Sequence, residues 1–264
     1  MNTNKNCIEN IINFKLNPLN NKSFITSCRQ TLNRDGILIL QKFITQIILD
    51  QLVAEAQEQS ENAFFTKTSH NVYLTDPDPK LGKDHIYNHQ IFSTKGCIAA
   101  DQIPPRSSLK LLYNSVMFQK FVADVLGEKK LFEYADSLSS INVHFAKSGQ
   151  ELGWHFDNSS FAISLLLQAP KEGGIFEYVP DLRNITDNNM NFAQVADVIN
   201  ETTVPVQANM TPGTLMLFRG NNTLHRVTPV LGRRTRILAV FAYNKEPGVT
   251  LSETARMNFF GRIT

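Results

Sequence analysis

The sequence predicts a mainly β protein with helices: a double-sheet barrel or jelly roll, with helices from the N-terminal half packed on it. Three observations lead there. The apolar spacing is helical over much of the N-terminal half and changes to two from Leu131 onward. Seven or eight short apolar runs follow, separated by Gly, Pro, Asn or Asp and without regularly intervening helices. That order argues for stacked antiparallel sheets and against a parallel sheet. At 264 residues the chain suits one domain with elaborations, or at most two, and is long enough to enclose a pocket.

Residues 1–21 are rich in Asn, carry Pro18 and read as a loosely held arm. Ser23 is placed to cap a helix over about 24–34, where Phe24, Cys28 and Leu32 recur at helical spacing, and Gly36 to end it. Residues 36–43 read as a buried strand. Thr45 is placed to cap a second helix reaching about Phe65, with Ile48, Leu52, Val53 and Ala56 on one side. Residues 66–105 contain Asp76-Pro77-Asp78-Pro79, Gly82, Gly96 and Pro104-Pro105. They read as a long irregular segment, usually functional or mobile in a compact domain. Helices are expected over about 107–114 and 115–126, the second ended by Gly127. Strands are expected at 131–135, 138–147, 161–168, 175–179, 213–218, 224–230 and 235–244, with a short helix around Phe192–Ile199 inside the interruption 181–203. The expected organisation is an arm, 1–21, and one domain, 22–264. Within it, 22–130 are a mostly helical elaboration, 131–245 the jelly-roll core and 246–264 a C-terminal tail.

The formal charge of +2 and the lack of a long Lys/Arg run leave no basic surface for nucleic acid or an anionic membrane. No run approaches the ~20 apolar residues of a membrane span, and the N-terminus lacks a signal-peptide core. Cys7, Cys28 and Cys97 are scattered and odd in number. They speak against a disulfide framework or a structural zinc site and fit a reducing cytosol, so a cytoplasmic location is expected.

Gly153-Trp154-His155-Phe156-Asp157 carries the chemistry. On an extended segment, His155 and Asp157 point to the same side. Alone, such a pair arises by chance in many chains. His225, in Leu224-His225-Arg226-Val227, is the best source of a second imidazole. Two His and one carboxylate, with open positions opposite, form the ligand set of non-haem Fe(II) oxygenases. His85 and His89 have a spacing that can bind zinc on a helix, but their flanks are loop-like, and they read as pocket lining or solvated. His144 lies on a predicted strand that can face the same cavity. His70, in a polar loop, reads as a surface residue. Arg234 and Arg236 share a face of the last strand. A buried guanidinium needs an anion, and its fork suits a carboxylate. Arg236, followed directly by Ile-Leu-Ala-Val-Phe, is the first choice for an internal anion partner and Arg234 the alternative.

Taken jointly, His155-x-Asp157, His225, an Arg about ten residues later on the final strand and Pro212-Gly213-Thr214-Leu215-Met216-Leu217-Phe218 resemble the Fe(II)/2-oxoglutarate-dependent oxygenases. The resemblance implies a double-stranded β-helix (jelly-roll/cupin-like) core and Fe(II) held by His155, Asp157 and His225. It also implies 2-oxoglutarate and O2 as co-substrates, with the far carboxylate of 2-oxoglutarate on Arg236, helped by Asn142. Three segments sharpen it: Gly153–Asp157, Gly173-Gly174-Ile175-Phe176-Glu177-Tyr178-Val179-Pro180 and Leu224–Val230. With Pro247-Gly248 and Gly261-Arg262 they look like a bacterial subgroup containing free amino-acid hydroxylases and lysine halogenases. The halogenases of that subgroup replace the carboxylate ligand by a small residue. This chain keeps Asp157, so hydroxylation of an unactivated C–H bond is implied, with a free amino acid as small-molecule substrate and lysine the first candidate. Asn158, His89, His144, Glu177 and Arg183 are candidate substrate contacts, for which a structural role is at least as good a reading. The alternatives are a peptide or protein side-chain hydroxylase docking through 66–105, a zinc hydrolase without need of Arg236, and a non-catalytic metal-binding barrel.

Overall fold

The computed structural model describes residues 8–187 and 189–264. Local chemistry sets the first elements. The Asn21 side chain accepts from the Phe24 amide at 3.1 Å and starts helix α1, Lys22–Asp35; Gly36, at φ 69°, ends it in a left-handed cap. Strand β1, Ile37–Leu40, leads to α2, Gln46–Gln59. Next come β2, Phe64–His70, β3, Ile91–Ile98, α3, Ser108–Tyr113, and α4, Val116–Leu126, which closes on Gly127 at φ 81°. The second half holds β4, Phe132–Glu133, β5, Ile141–Ala146, β6, Leu152–His155, β7, Ala162–Gln168, β8, Glu172–Gly173, and β9, Phe176–Val179. Helix α5, Phe192–Ile199, precedes β10, Val206–Gln207, β11, Leu215–Phe218, β12, Leu224–Val227, and β13, Val230–Leu231. The chain continues through β14, Arg236–Phe241, β15, Tyr243–Asn244, and α6, Glu253–Phe260.

The main sheet runs β1-β11-β7-β14-β5-β3-β6-β12-β9-β10, with β2 branching off β3, and its pairings are antiparallel. Alternation gives its central strands two faces. Ile141, Val143, Phe145, Ile163, Leu165, Leu167, Leu215, Leu217, Ile237, Ala239 and Phe241 join the core made with the helices. Phe118 of α4 anchors that side, edge-on to Phe241 at 5.6 Å and tilted against Phe43 at 5.9 Å. The opposite face of the sheet closes on itself. Ile37, Met216 and Phe218 from one end of the strand order cluster with Phe176 and Val227 from the other, with Phe176 edge-on to Phe218 at 5.0 Å. A sheet whose ends meet across an apolar seam is a barrel of two facing layers, as the periodicity predicts.

Several elements differ from expectation. Residues 8–21 are packed, not a loose arm: Ile8, Ile11, Ile12 and Leu19 are buried in the main core, and the Asn13 amide donates to Phe43 O at 2.8 Å. The rest of the expected arm, 1–7, lies outside the described residues. Helix α2 stops at Gln59, and a 3-10 turn over Ser60–Asn62 leads into β2. The 66–105 segment is not irregular throughout, because β2 and β3 pair from Phe64↔Cys97 to His70↔Ile91 and β3 lies between β5 and β6. The C-terminal tail contains α6, capped by the Ser252 hydroxyl and ended by Gly261 at φ 68°. Its Phe260 is buried with Cys97, Ala99 and Leu138. No described helix is long and apolar enough to cross a membrane.

Candidate metal centre

Strands β6 and β12 pair antiparallel with His155 directly opposite His225, and their rings lie 4.2 Å apart. Each ring has its Nδ1 on a backbone carbonyl two residues earlier: His155 on Gly153 O at 2.7 Å and His225 on Thr223 O at 3.0 Å. A carbonyl only accepts, so both Nδ1 atoms carry the proton and both Nε2 lone pairs are free, the tautomer a metal requires. Just past β6, the Phe156 amide donates to Val72 O at 2.8 Å and the Asp157 amide to Gly220 O at 3.0 Å. These bonds turn the Asp157 side chain toward the imidazoles. Its Oδ1 lies 3.6 Å from His155 Nε2 and 3.5 Å from His225 Nε2. Both separations fit under the about 4.2 Å that two ligands, each about 2.1 Å from one ion, can span. Burial opposes ionisation of Asp157; when the His225 and His155 rings carry a second proton, their attraction outweighs it and holds the carboxyl far below its usual range.

The space beside Asp157 depends on Gly220. A Cβ there would lie 1.9 Å from Asp157 Oδ2 and 3.0 Å from His225 Cε1. Phe176 forms another wall, stacked on the His225 ring at 5.5 Å.

The barrel interior continues behind the triad. Lys95 on β3, Asn142 and His144 on β5, and Leu238 and Val240 on β14 are half-buried although they sit in the centre of the sheet, because their side chains face an internal space. Ser164, opposite Val240 on β7, faces the same way, and its buried hydroxyl has no partner among the described residues. Burial, reinforced by the charges of Lys95 and Arg236, pushes the His144 imidazole well below its ordinary pKa.

Arg236 is 7% exposed. Its Nε donates to Gly174 O at 3.1 Å, but no carboxylate lies within ion-pair distance among the described residues. Burial pulls its pKa down to about 10. A cavity of about 390 Å³, lined among others by Leu166, Gly174, Phe176 and Arg236, lies beside it. A buried cation without a counter-ion and a buried hydroxyl without a partner fit an anionic ligand. Arg234, the alternative, is exposed and lines a groove against α2 with Gln46, Asp50 and Gln57, outside the barrel.

The other predicted contacts fare unevenly. Asn142 faces the interior but its amide already donates to Ser139 O at 3.1 Å. Asn158 is exposed beside Asp157. Arg183 is buried as a buttress: its Nε donates to Asn221 O at 2.6 Å, and its guanidinium stacks on Phe156 at 4.2 Å. Glu177 points away from the interior, paired with Arg226 at 2.8 Å and accepting from Gln207. His89 is exposed. His85 lies edge-on to Phe192 at 4.8 Å, and no group of three metal-ligating side chains forms around the 85/89 pair among the described residues.

His70, expected at the surface, instead lines the site. Its Nε2 is 2.7 Å from Ser93 Oγ, and its ring is edge-on to His155 at 6.2 Å. Lys95, Ser164 and Gly220 carry no signal that sequence reading detects. Register alone turns the first two inward, and only the clash distance reveals the third.

A family model described as Halogenase D matches residues 20–258. No curated protein matches the chain. Among solved structures it is similar to an oxidoreductase of the 2OG-Fe(II) oxygenase family from Burkholderia pseudomallei, at 14% identity and TM-score 0.53 over 87% of this chain and 95% of that one. It is also similar to a prolyl hydroxylase in complex with a hypoxia inducible factor oxygen degradation domain peptide fragment from Trichoplax adhaerens, at 15% identity and TM-score 0.55 over 87% and 92%. A third is the non-heme alpha ketoglutarate dependent carbocyclase SnoK from nogalamycin biosynthesis, at 13% identity and TM-score 0.58 over 90% and 92%. At these identities the likeness establishes the double-stranded β-helix fold.

Proposed function

The chain belongs to the halogenase D family, and from that premise we propose that it is an Fe(II)/2-oxoglutarate-dependent dioxygenase hydroxylating an unactivated C–H bond of a free amino acid, with lysine the first candidate. One observation supports the reading above the rest. Two imidazoles with free Nε2 atoms and a carboxylate converge at one end of an interior that also holds the unpaired guanidinium of Arg236.

In this reading His155, Asp157 and His225 hold Fe(II), which with 2-oxoglutarate and O2 supplies the oxidising power for the C–H bond. The chain's own residues do the rest. Gly153 O and Thr223 O fix the imidazole tautomers. Arg236, with Asn142, takes the far carboxylate of 2-oxoglutarate. Leu166, Leu238 and Val240 line the interior with apolar surface and limit water beside the reacting carbon. Asp157 fills the position that halogen transfer needs open, so oxygen transfer is the proposed outcome despite the family's name. The functional unit is taken as the single domain 22–264 together with the packed residues 8–21, working in the cytoplasm, where the free and buried Cys28 and Cys97 stay reduced.

The test is succinate release with Fe(II), 2-oxoglutarate and individual amino acids, followed by product mass. A product one oxygen heavier than its amino acid is expected. Product from peptides alone transfers the reading to a side-chain hydroxylase. Hydrolysis without 2-oxoglutarate or O2 replaces it with a zinc enzyme, and a chlorinated product overturns the role given to Asp157.

A further inference from the structure

We propose that Ser93 and His70 are positioning residues of the metal centre: they pin Gly153 and through it fix the imidazole of His155. The inference rests on the proposed function and deepens its iron site.

The sheet holds the two imidazole ligands unequally. His225 stands on β12, which pairs with β9 without a break from Leu224↔Val179 to Val227↔Phe176. Strand β6 is less regular. From Leu152 to His155 it takes three steps, against the two that β12 takes from Val227 to His225, which marks a β-bulge directly before the ligand. On its other side, β6 pairs with β3 only at Leu152↔Ser93. A bulge disrupts the ladder and leaves backbone groups to find other partners. The Gly153 amide finds the Ser93 hydroxyl, to which it donates at 3.0 Å.

The carbonyl of the same residue accepts from His155 Nδ1 at 2.7 Å. Glycine has the widest backbone freedom of any residue, and no side chain can replace it here, because a Cβ would run into Phe92 O and Ile91 Cγ2. The group that selects the tautomer of His155 therefore stands on the least restrained kind of residue. Its orientation has to be imposed by a neighbour, and Ser93 is that neighbour.

His70 in turn directs the hydroxyl. Its Nδ1 faces Asn71 O at 3.0 Å and carries the ring proton, since a carbonyl only accepts. Burial, with the nearby charge of Lys95, pushes the imidazole pKa down and keeps the ring neutral. Nε2 then accepts the proton of Ser93 Oγ at 2.7 Å, and a lone pair of that oxygen is left for the Gly153 amide. The donors run in one direction, from Gly153 to Ser93, from Ser93 to His70 and from His70 to Asn71 O. One residue further, Val72 O accepts from the Phe156 amide at 2.8 Å. Residues 70–72 thus fasten the metal strand on both sides of His155, through Gly153 before it and Phe156 after it.

The experiment loads the full chain with Co(II) in place of Fe(II) and reads proton NMR. The paramagnetic ion moves the Nδ1–H signals of the two bound imidazoles outside the protein envelope, and the His155 signal is identified by its Overhauser contact with Gly153. Ser93→Ala is expected to speed exchange of the His155 Nδ1 proton with water by about 10-fold, the scale of one hydrogen bond, while the His225 proton exchanges as before. Its Co(II) Kd should rise by about 10-fold, as for a lost outer partner of a metal ligand. Ser93→Thr, which keeps the hydroxyl, should restore both. His70→Leu should change the same signal in the same direction, and it carries the test if Ser93→Ala does not fold. The proposal is overturned if the His155 proton exchanges as in wild type in these variants, if both histidine protons respond alike, or if Ser93→Thr behaves as Ser93→Ala. Wild-type protein that fails to bind Co(II) brings down the proposed function itself.

Discussion

A methyl group on Gly220 perturbs the metal centre without altering any of its ligands. The added Cβ would sit 1.9 Å from Asp157 Oδ2 and 2.6 Å from its Cγ. Non-bonded atoms settle at about 3.5 Å, so the carboxylate must retreat by roughly 1.5 Å, several times the ~0.2 Å tolerance of a coordination bond. Its backbone cannot follow easily, because the Asp157 amide is bonded to Gly220 O itself and the preceding amide to Val72 O. The ring of His225 blocks another retreat, with Cε1 3.0 Å from the new methyl. Gly220→Ala is therefore expected to weaken Mn(II) or Fe(II) binding by about 10–100-fold, on the scale of lost outer partners of metal ligands, or about 1.4–2.8 kcal/mol. Metal titration followed by calorimetry reads this directly, and far-UV dichroism checks that the fold is kept. Removing the carboxylate removes the clash, so in an Asp157→Gly background Gly220→Ala should cost little more. Wild-type affinity in Gly220→Ala, or full additivity in the double mutant, would refute the geometry.

Other consequences are open to measurement. Arg236→Met should raise the 2-oxoglutarate Kd by about 10–150-fold, the scale of a charge-assisted hydrogen bond, whereas Arg234→Met should leave it alone; the reverse in equilibrium binding would move the anion site out of the barrel. His144 is neutral when folded, with its pKa well below 6.5, whereas the unfolded chain takes up a proton near 6.5. The unfolded state thus binds more protons as pH falls below 6.5, and stability should drop there by up to about 1.4 kcal/mol per pH unit. Urea unfolding from pH 7.5 to 5 should show a shallower slope in His144→Gln. Phe118→Ala should cost about 3–5 kcal/mol in the same assay, because it empties the contact between α4, Phe43 and Phe241. Asn21→Ala should cost about 1 kcal/mol by removing the cap of α1.

Residues whose chemistry follows from type and spacing could be read before folding. His155, Asp157 and His225 converge as the motif implies, and Arg236 is buried as its apolar neighbours required. The barrel is visible because β5 and β14 alternate, while β7 and β11 are short apolar runs buried nearly throughout. Strand β2 was not: Phe64-Phe65-Thr66-Lys67-Thr68-Ser69-His70 is exposed or half-buried throughout, so no period separates it from loop. Without β2, nothing in the sequence places β3, and Lys95 reads like any solvated lysine. Its inward direction comes from cross-strand register, a property of two distant segments. Arg183 and Glu177 misled for a related reason. Charge invites a ligand, but each is already satisfied by partners over 35 residues away, Asn221 and Arg226. The N-terminal segment misled because its Asn content hides Ile8, Ile11, Ile12 and Leu19, which carry the packing.

The pairing of His155 with His225 has a mechanical side. Sixty-nine residues of chain separate these partners, and they sit on adjacent strands near the seam where the sheet closes. An ion shared by them would rivet a long loop of chain at its two ends, and chain opening would have to release it. Holding metal and holding shape then become one equilibrium: at 100 times its Kd, the ion adds about 2.7 kcal/mol to the barrel. A rising melting temperature on titration with Mn(II) would report the rivet, and a chelator would loosen it.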